Sequence, residues 1–342
     1  MLTPRARVGA RGAHHDAVPL LLTDRACLGS PLALIRHDDA RRLGLRLSPP
    51  RFRRLRSGVW VDAEAYAALP PWLQYATRVH AFLTAHPDAI LCRESAAVIH
   101  GLPLFGHPPL VHVYAPERRS SRTFGDVQWH ASDDPRDVVD RSGVSVTAVA
   151  DTVIDLGRVL APAHALAMVD AALSPAQGGI LMLGDLEDTA GSQVNRRGSA
   201  RLRWLIEHAD ARSESPGESV SRAVIHWLGF ATPRLQVELW HEGRQDRVDF
   251  LFDAERVVGE SDGWAKYELD DRPLSRQRLR DEKRREDRIR RAGFTVARWD
   301  MNDAASVAPL RSILLSAGLR RVAPEQHAML ATLRPSAPRA SW

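Results

Sequence analysis

The chain has 342 residues, of which 44% are hydrophobic and 26% are charged, a composition that excludes a fibrous or largely disordered protein. Its net charge of +5 rests mostly on arginine, and clustered arginine favours phosphate-bearing partners such as nucleic acid. Only Cys27 and Cys92 occur, too few for a disulfide framework or a four-ligand zinc site. With no signal-peptide pattern or membrane span, the sequence predicts a cytoplasmic protein without membrane association.

The first part of the chain predicts a small DNA-binding unit. Residues 1–30 lack sustained periodicity and are expected to be poorly ordered. Residues 32–44 have the pattern of a short helix, and Ser48 and Pro49 supply the N-cap and first-turn proline of a second helix that ends at Gly58. With the strand that follows, residues 31–70 have the layout of a winged helix-turn-helix. Its second helix would present four arginines to the DNA major groove, namely Arg51, Arg53, Arg54 and Arg56. A basic surface helix without a ligand is the alternative.

Residues 71–173 predict an α+β region. Helices are expected over residues 71–85 and 93–100 and in the apolar stretch 151–172, and strands at residues 110–116, 127–132 and 144–149. His112, His130 and Asp151 are the residue types of a catalytic triad, but isolated histidines on strands are more often packed or surface residues. The Pro and Gly content of residues 174–191 predicts a linker or long loop, so residues 174–210 are expected to be a linker and a helix.

The carboxyl-terminal part predicts a second compact unit. Over residues 211–303 the patterns follow the order helix, strand, strand, strand, helix, strand, in which the second helix is long and highly charged. Residues 304–342 predict a helix followed by a disordered end rich in Pro, Ser and Arg.

The second and third of these strands predict a hairpin that carries carboxylates at costly positions. A tight reversal sets a register that pairs Phe250 with Gly259 and, one residue further, Asp249 with Glu260. Opposed side chains lie roughly 4.5–5.5 Å apart at Cβ, where like charges are destabilising. Asp262 follows Glu260 on the same face. We therefore expect a positive group among them, and a divalent cation bound by carboxylate oxygens meets this need.

Five motifs span residues 213–303: SPGES around Glu218, QVEL at 236–239, RVDF at 247–250, GESDGWAKY at 259–267 and EKRREDRIRRAGFTVARW at 282–299. They resemble the PD-(D/E)xK nuclease superfamily, and more closely the domain of unknown function related to very-short-patch-repair endonucleases. Upstream, RRLGLRLSPPRFRRLRSGVWV, CRESAAVIHGLPL and GVSVTAVADTVIDLGR resemble proteins that join an AbiEi-type antitoxin region to such a domain. The resemblance implies a mixed α/β chain with a restriction-endonuclease-like αβββαβ core at its carboxyl side.

The resemblance also implies a Mg²⁺ site. Asp249 and Glu260 match the acidic pair that holds the metal, and Glu218 matches the acid of the first helix. Asp262 stands where many superfamily members have the catalytic lysine, so the attacking water would be deprotonated through the metal or by Lys266. For Glu218 the alternative is helix capping alone.

Further residues are candidates for DNA contacts. Trp264 is expected to stack on an unpaired base, although aromatic residues at a strand end are also core-edge residues. Arg285 and Arg298 are candidates for phosphate contacts. Alternatively, Arg285 pairs with Glu282 on its own helix.

The sequence therefore predicts a Mg²⁺-dependent DNA endonuclease, a hydrolase of phosphodiester bonds, with an amino-terminal DNA-binding module. The alternative is a transcription regulator or antitoxin-type DNA-binding protein whose nuclease fold is catalytically silent. A third possibility is a structural partner of a neighbouring toxin. DNA is thus the expected partner, together with a cognate toxin or a second copy of the chain.

Overall fold

The computed structural model of the protein describes residues 26–262 and 272–333. These residues form a mixed α+β fold with thirteen α-helices and three β-sheets. None of the helices in the two described ranges is long and apolar enough to cross a membrane.

The amino-terminal unit is built on a three-stranded sheet with strand order β1-β3-β2. Its elements are β1 (Ile35–Arg36), α1 (His37–Arg42), β2 (Phe52–Arg56), β3 (Val59–Asp62) and α2 (Ala63–Ala68). The first predicted helix of this unit is confirmed in shortened form as α1.

The predicted basic helix after Pro49 is wrong, because this stretch contains the strand β2. The strands β2 and β3 meet in a hairpin turn at Gly58, whose φ of +73° is readily adopted by a residue without a Cβ. Arg54 pairs with Trp60 across the hairpin, so β3 satisfies backbone groups that a helix would have satisfied internally. The helix-start signal of Ser48 and Pro49 is overridden by strand pairing, and the winged helix-turn-helix prediction loses its recognition helix.

The middle region is built on a six-stranded sheet with strand order β6-β7-β5-β4-β9-β8. Its helices are α3 (Pro71–Ala85), α4 (Arg93–His100), α5 (Val149–Gly157) and α6 (Pro162–Leu173). Its strands are β4 (Ile90–Leu91), β5 (Val111–Tyr114), β6 (Arg122–Phe124), β7 (Val127–His130), β8 (Val138–Arg141) and β9 (Val144–Thr147). The predicted helices and the three predicted strands are confirmed, since apolar side chains with matching periods pack between α3, α4 and the sheet.

The predicted loop over residues 174–191 is wrong in its second half. A 3₁₀ turn (Pro175–Gln177) is followed by α7 (Leu183–Ser192) and α8 (Ser199–His208). Leu186 and Leu205 are buried in the same core as α5 and α6. This apolar burial fixes the segment as packed structure, which its Gly and Pro content concealed.

The carboxyl-terminal unit has the predicted order of helix, three strands, helix and strand. Its elements are α9 (Pro216–Trp227), β10 (Arg234–His241), β11 (Arg244–Phe252), β12 (Val257–Asp262), α10 (Arg272–Arg291) and β13 (Thr295–Asp300). The strand order is β10-β11-β12-β13; β12 and β13 are parallel and the other pairs antiparallel. A parallel pair needs a crossover connection, and α10 lies within it.

The two faces of this sheet are covered by different helices. On one face Phe250 and Trp299 belong to a core that also contains Trp227 of α9. On the other face Leu251 and Val258 pack with Ile289 of α10. The carboxylate-bearing positions of the hairpin therefore lie on the two central strands of a sheet that is covered on both sides.

The segment after β13 is packed structure for most of its length. It forms α11 (Met301–Ser306), α12 (Ala308–Ser316), α13 (His327–Leu330) and a 3₁₀ turn (Ala331–Leu333). Leu310, Leu314 and Leu330 are buried in the main core. The prediction of a single helix is thus too short, and residues 334–342, where disorder was predicted, lie outside the described residues.

Candidate functional site

The hairpin of β11 and β12 has the predicted register. Phe250 pairs with Gly259, and the Asp249 carboxylate Oδ2 accepts a hydrogen bond from the Ser261 backbone N–H at 2.9 Å. This bond ties Asp249 to β12 beside Glu260. The prediction that these two acids lie on adjoining strand positions rests on this register and is consistent with it.

Glu218 is brought to the same end of the sheet by the first turn of α9. Its side chain is 5% exposed, and its Oε2 accepts hydrogen bonds from the Glu214 backbone N–H and from Gln236 Nε2, both at 2.9 Å. Ser215 Oγ donates to Oε1 at 2.9 Å and accepts from the Glu218 backbone N–H at 3.1 Å. Ser215 therefore caps α9, but Glu218 does not complete a capping box, because it bonds the amide of Glu214 instead of the N-cap amide.

Gln236 is a site residue that sequence reasoning missed. Its φ is +52°, a conformation that costs a non-glycine residue free energy and tends to persist at functional sites. From β10 its amide reaches the Glu218 carboxylate. The only signal in the sequence is the QVEL motif, which contains Gln236 but does not reveal its contact.

The carboxylates influence one another electrostatically. Burial, together with the negative charge of Asp249, raises the pKa of Glu218 from an ordinary 4.5 to about 7, although the hydrogen bonds that its carboxylate accepts lower it. Burial also raises the pKa of Glu260, and Asp249 again adds to the shift. Glu260 is 7% exposed. Three of the predicted acids therefore form one cluster, in which Glu218 and Glu260 are buried, Asp249 is half-buried, and the charge of Asp249 acts on both glutamates. We call Glu218, Asp249 and Glu260 the carboxylate cluster.

A positive group does lie at the cluster, and it is Arg285 of α10. Its guanidinium forms a two-pronged ion pair with Glu260, with Nη2 2.7 Å from Oε1 and Nη1 3.3 Å from Oε2, and it also donates to the carbonyl of Arg247. Glu282, the alternative partner predicted for Arg285, instead forms an ion pair with Arg298 at 2.9 Å. The crossover helix thus supplies the positive charge that the hairpin requires.

The remaining residues predicted for this site are Asp262, Lys266 and Trp264. Asp262 ends β12 and pairs in register with Asp300 of β13. Lys266 and Trp264 lie outside the described residues. Within residues 26–262 and 272–333, no three His, Cys, Asp or Glu side chains are arranged as a ready-made metal site. Arg285 contacts both carboxylate oxygens of Glu260, so a cation bound by Glu260 would displace this guanidinium.

The four amino-terminal arginines lie around strand β2. Arg51, Arg53 and Arg54 are exposed, and the guanidinium of Arg53 lies 4.9 Å from the centre of the Tyr66 ring. Arg56 forms an ion pair with Asp126 of the middle region. Three of the four predicted DNA-binding arginines are thus accessible, whereas Arg56 has a partner within the protein.

The raised pKa of Glu218 makes a prediction for stability. A carboxyl group whose pKa is higher in the folded state stabilises the fold below its unfolded pKa, near 4.5, and this contribution is lost as the pH rises through about 7. Glu218→Gln mimics the protonated acid: its oxygen can accept from Glu214 and Gln236 while its amide donates to Ser215. We expect the variant to be more stable than the wild type by up to about 3 kcal/mol at about pH 8, and equally stable at about pH 4.5.

Urea denaturation at the two pH values measures this difference without added metal. Glu238→Gln is the matched control, because Glu238 lies exposed on β10 and its replacement should change stability little at either pH. A gain from Glu218→Gln that does not depend on pH contradicts the assignment of the raised pKa.

No protein-family model matches the chain, and no solved structure matches it. Two proteins of Mycobacterium tuberculosis are 31% identical to it over 203 residues, which make up 59% of this chain and 72% of each relative. One is named uncharacterized protein MT2308, from strain CDC 1551 / Oshkosh. The other is named uncharacterized protein Rv2248, from strain ATCC 25618 / H37Rv. These names state no activity for either protein.

Proposed function

The chain belongs to the same family as the two Mycobacterium tuberculosis proteins, and from its buried carboxylates we propose that it is a Mg²⁺-dependent DNA endonuclease of the PD-(D/E)xK type. The observation that carries the proposal is the carboxylate cluster, Glu218, Asp249 and Glu260. It lies at one end of the sheet in a unit whose elements follow the order αβββαβ. Buried acids with raised pKa values concentrate at sites that bind cations or exchange protons.

The donor set fits Mg²⁺, which prefers oxygen ligands and usually binds one or two carboxylates while it keeps several waters. Asp249 and Glu260 would hold the ion, with Glu218 and Asp262 as the further acids near it. When bound, Mg²⁺ lowers the pKa of a coordinated water and neutralises charge on the phosphate. A full cage of protein ligands is not needed for this ion.

Other residues of the chain would contact the phosphate, the attacking water and the DNA. Arg285, once released from Glu260, has the planar fork that suits two oxygens of the scissile phosphate. Glu218, a buried carboxylate at the first turn of α9, would accept a proton from the attacking water. Lys266 stays a second predicted base, Trp264 a predicted stacking residue, and the exposed Arg51, Arg53 and Arg54 predicted contacts to the DNA backbone.

A second function is favoured by one contact, the two-pronged ion pair of Arg285 with Glu260. If the arginine permanently occupies the place of the cation, the nuclease fold is catalytically silent. The protein would then be a DNA-binding regulator or an antitoxin-type protein. Its affinity for DNA would fall with salt, because arginine contacts to phosphate release counterions.

Incubation of the purified protein with supercoiled plasmid separates the two functions. The endonuclease predicts nicked or linear plasmid with Mg²⁺ and intact plasmid with EDTA. Intact plasmid under both conditions, with retarded migration of the protein–DNA complex at low salt, overturns the endonuclease and favours the silent fold.

A further inference from the structure

A polar cavity is lined by residues of the middle region and of the segment before α8, and it shares no residue with the carboxylate cluster. It has a volume of about 490 Å³, within the size range of small-molecule sites. Its charged and titratable lining consists mainly of four arginines, one histidine and one acid, namely Arg93, Arg136, Arg158, Arg197, His130 and Asp155. We call it the arginine cavity. Its lining is strongly positive.

The one acid among these residues is already paired. Arg136 forms a two-pronged ion pair with Asp155, with Nη2 2.8 Å from Oδ1 and Nε 3.2 Å from Oδ2. Asp151, which is buried, lies 3.8 Å from the same guanidinium. Asp155 and Asp151 thus both lie against the guanidinium of Arg136. The other three arginines lack such a partner among the described residues.

Arg158 carries an unsatisfied donor. Its Nη2 donates to Gln193 Oε1 at 2.9 Å and its Nη1 donates to the carbonyl of Arg197. Its Nε is buried and has no hydrogen-bond partner in the described part of the chain. Buried polar groups in proteins are nearly always bonded, so one of the three donor nitrogens of this guanidinium lacks an acceptor.

Arg93 occupies its position against two local preferences. It has a φ of +49°, a left-handed conformation that is strained for a residue with a side chain. It is also the first residue of α4, where a positive charge opposes the helix dipole. Its guanidinium forms no ion pair with any described residue. An anion bound beside this helix terminus would offset both costs.

His130 offers the cavity a neutral imidazole. Its Nε2 lies 2.9 Å from Nδ1 of His112, whose Nε2 lies 3.3 Å from the Glu94 carboxylate. The carboxylate favours a proton on Nε2 of His112, so Nδ1 of His112 accepts from His130. Burial and the charge of Arg93 lower the pKa of His130 to about 3. His130 therefore keeps a free lone pair on Nδ1, which can accept a hydrogen bond from a hydroxyl group.

We propose that the arginine cavity binds a phosphate-bearing small molecule of mononucleotide size. Arg93, Arg158 and Arg197 would contact the phosphate, and His130 would accept a hydrogen bond from a sugar hydroxyl. Arginine suits this task because its fork matches phosphate oxygens and its charge is permanent. The site does not depend on the endonuclease function.

Isothermal titration of the full chain with 5′-AMP, adenosine and inorganic phosphate tests the proposal. We expect saturable binding of AMP, with adenosine and inorganic phosphate each at least about tenfold weaker, because each lacks one half of the recognised groups. Arg93→Gln should weaken AMP at least about tenfold. Arg320→Gln, at an exposed position outside the cavity, should bind AMP as the wild type does.

Arg93→Gly keeps the proposal testable if the glutamine variant folds poorly. Glycine adopts a φ of +49° without strain, so this variant should unfold at a temperature no lower than the wild type and still lose AMP. The Asp249→Asn variant should bind AMP normally, which separates this site from the endonuclease. Equal AMP affinity in wild type and both Arg93 variants, or no saturable binding of AMP, overturns the proposal. Inorganic phosphate that binds as tightly as AMP overturns the part assigned to His130.

Discussion

Replacement of Asp249 by asparagine is expected to slow Mg²⁺-dependent plasmid cleavage by about 10³-fold, since the metal contributes several kcal/mol of transition-state stabilisation. Asparagine has the same shape and can still accept the hydrogen bond from the Ser261 backbone N–H. The variant therefore removes a charged oxygen ligand while it preserves the hairpin. Initial rates of supercoiled plasmid loss measure the effect.

The matched control for this variant is Asp253→Asn. Asp253 lies in the same hairpin, but its side chain is 57% exposed and its partner is Arg234 at 3.3 Å. Its replacement should leave cleavage unchanged. Equal cleavage by wild type and Asp249→Asn, or equal losses in the two variants, contradicts the role assigned to Asp249.

The second large effect concerns the ion pair that joins α6 to α9. Asp170 is fully buried, and its Oδ2 lies 2.6 Å from Nη2 of Arg222, which is 10% exposed. Asp170 Oδ1 also accepts from the Asp210 backbone N–H at 2.8 Å. We expect Asp170→Asn to lower the unfolding free energy by about 3–5 kcal/mol, because it leaves a buried guanidinium without its counter-charge.

Urea denaturation measures this loss, and Asp253→Asn again serves as the exposed control with little expected change. The double variant Asp170→Leu/Arg222→Met removes both charges and should recover most of the stability, since apolar replacement of a buried pair is often neutral. A single variant as stable as the wild type would show that the pair does not hold the two helices together.

Much of the carboxyl-terminal unit could be predicted from its sequence, because its signals are local. The strand periods around Phe250 and Gly259 and the short turn between them fix the register of the hairpin, and with it the neighbourhood of Asp249 and Glu260. The long charged pattern before Gly293 likewise predicts α10. Both features are determined by residues that lie close together in the sequence.

The contacts that decide the chemistry could not be predicted, because they join distant segments. Arg285 reaches Glu260 across the crossover, and Gln236 reaches Glu218 from another strand through a strained backbone. No periodicity encodes such pairs. The arginine cavity was missed for the same reason, since Arg93, His130 and Arg158 come from three separate elements.

The prediction of a helix where the strand β2 lies was wrong for a different reason. The pair Ser48 and Pro49 is a valid helix-start signal, and nothing local opposes it except Gly58. Pairing with β3 decides the outcome, which illustrates how tertiary context overrides local propensity.

The central claim is that the carboxylate cluster binds a divalent cation, and isothermal titration of the wild-type protein with Mg²⁺ tests it most directly. We predict saturable binding at about pH 8 that is absent from Asp249→Asn. Binding should weaken below pH 7, as Glu218, with a pKa of about 7, takes up a proton. No saturable binding by the wild type, or the same isotherm for Asp249→Asn, would contradict the claim.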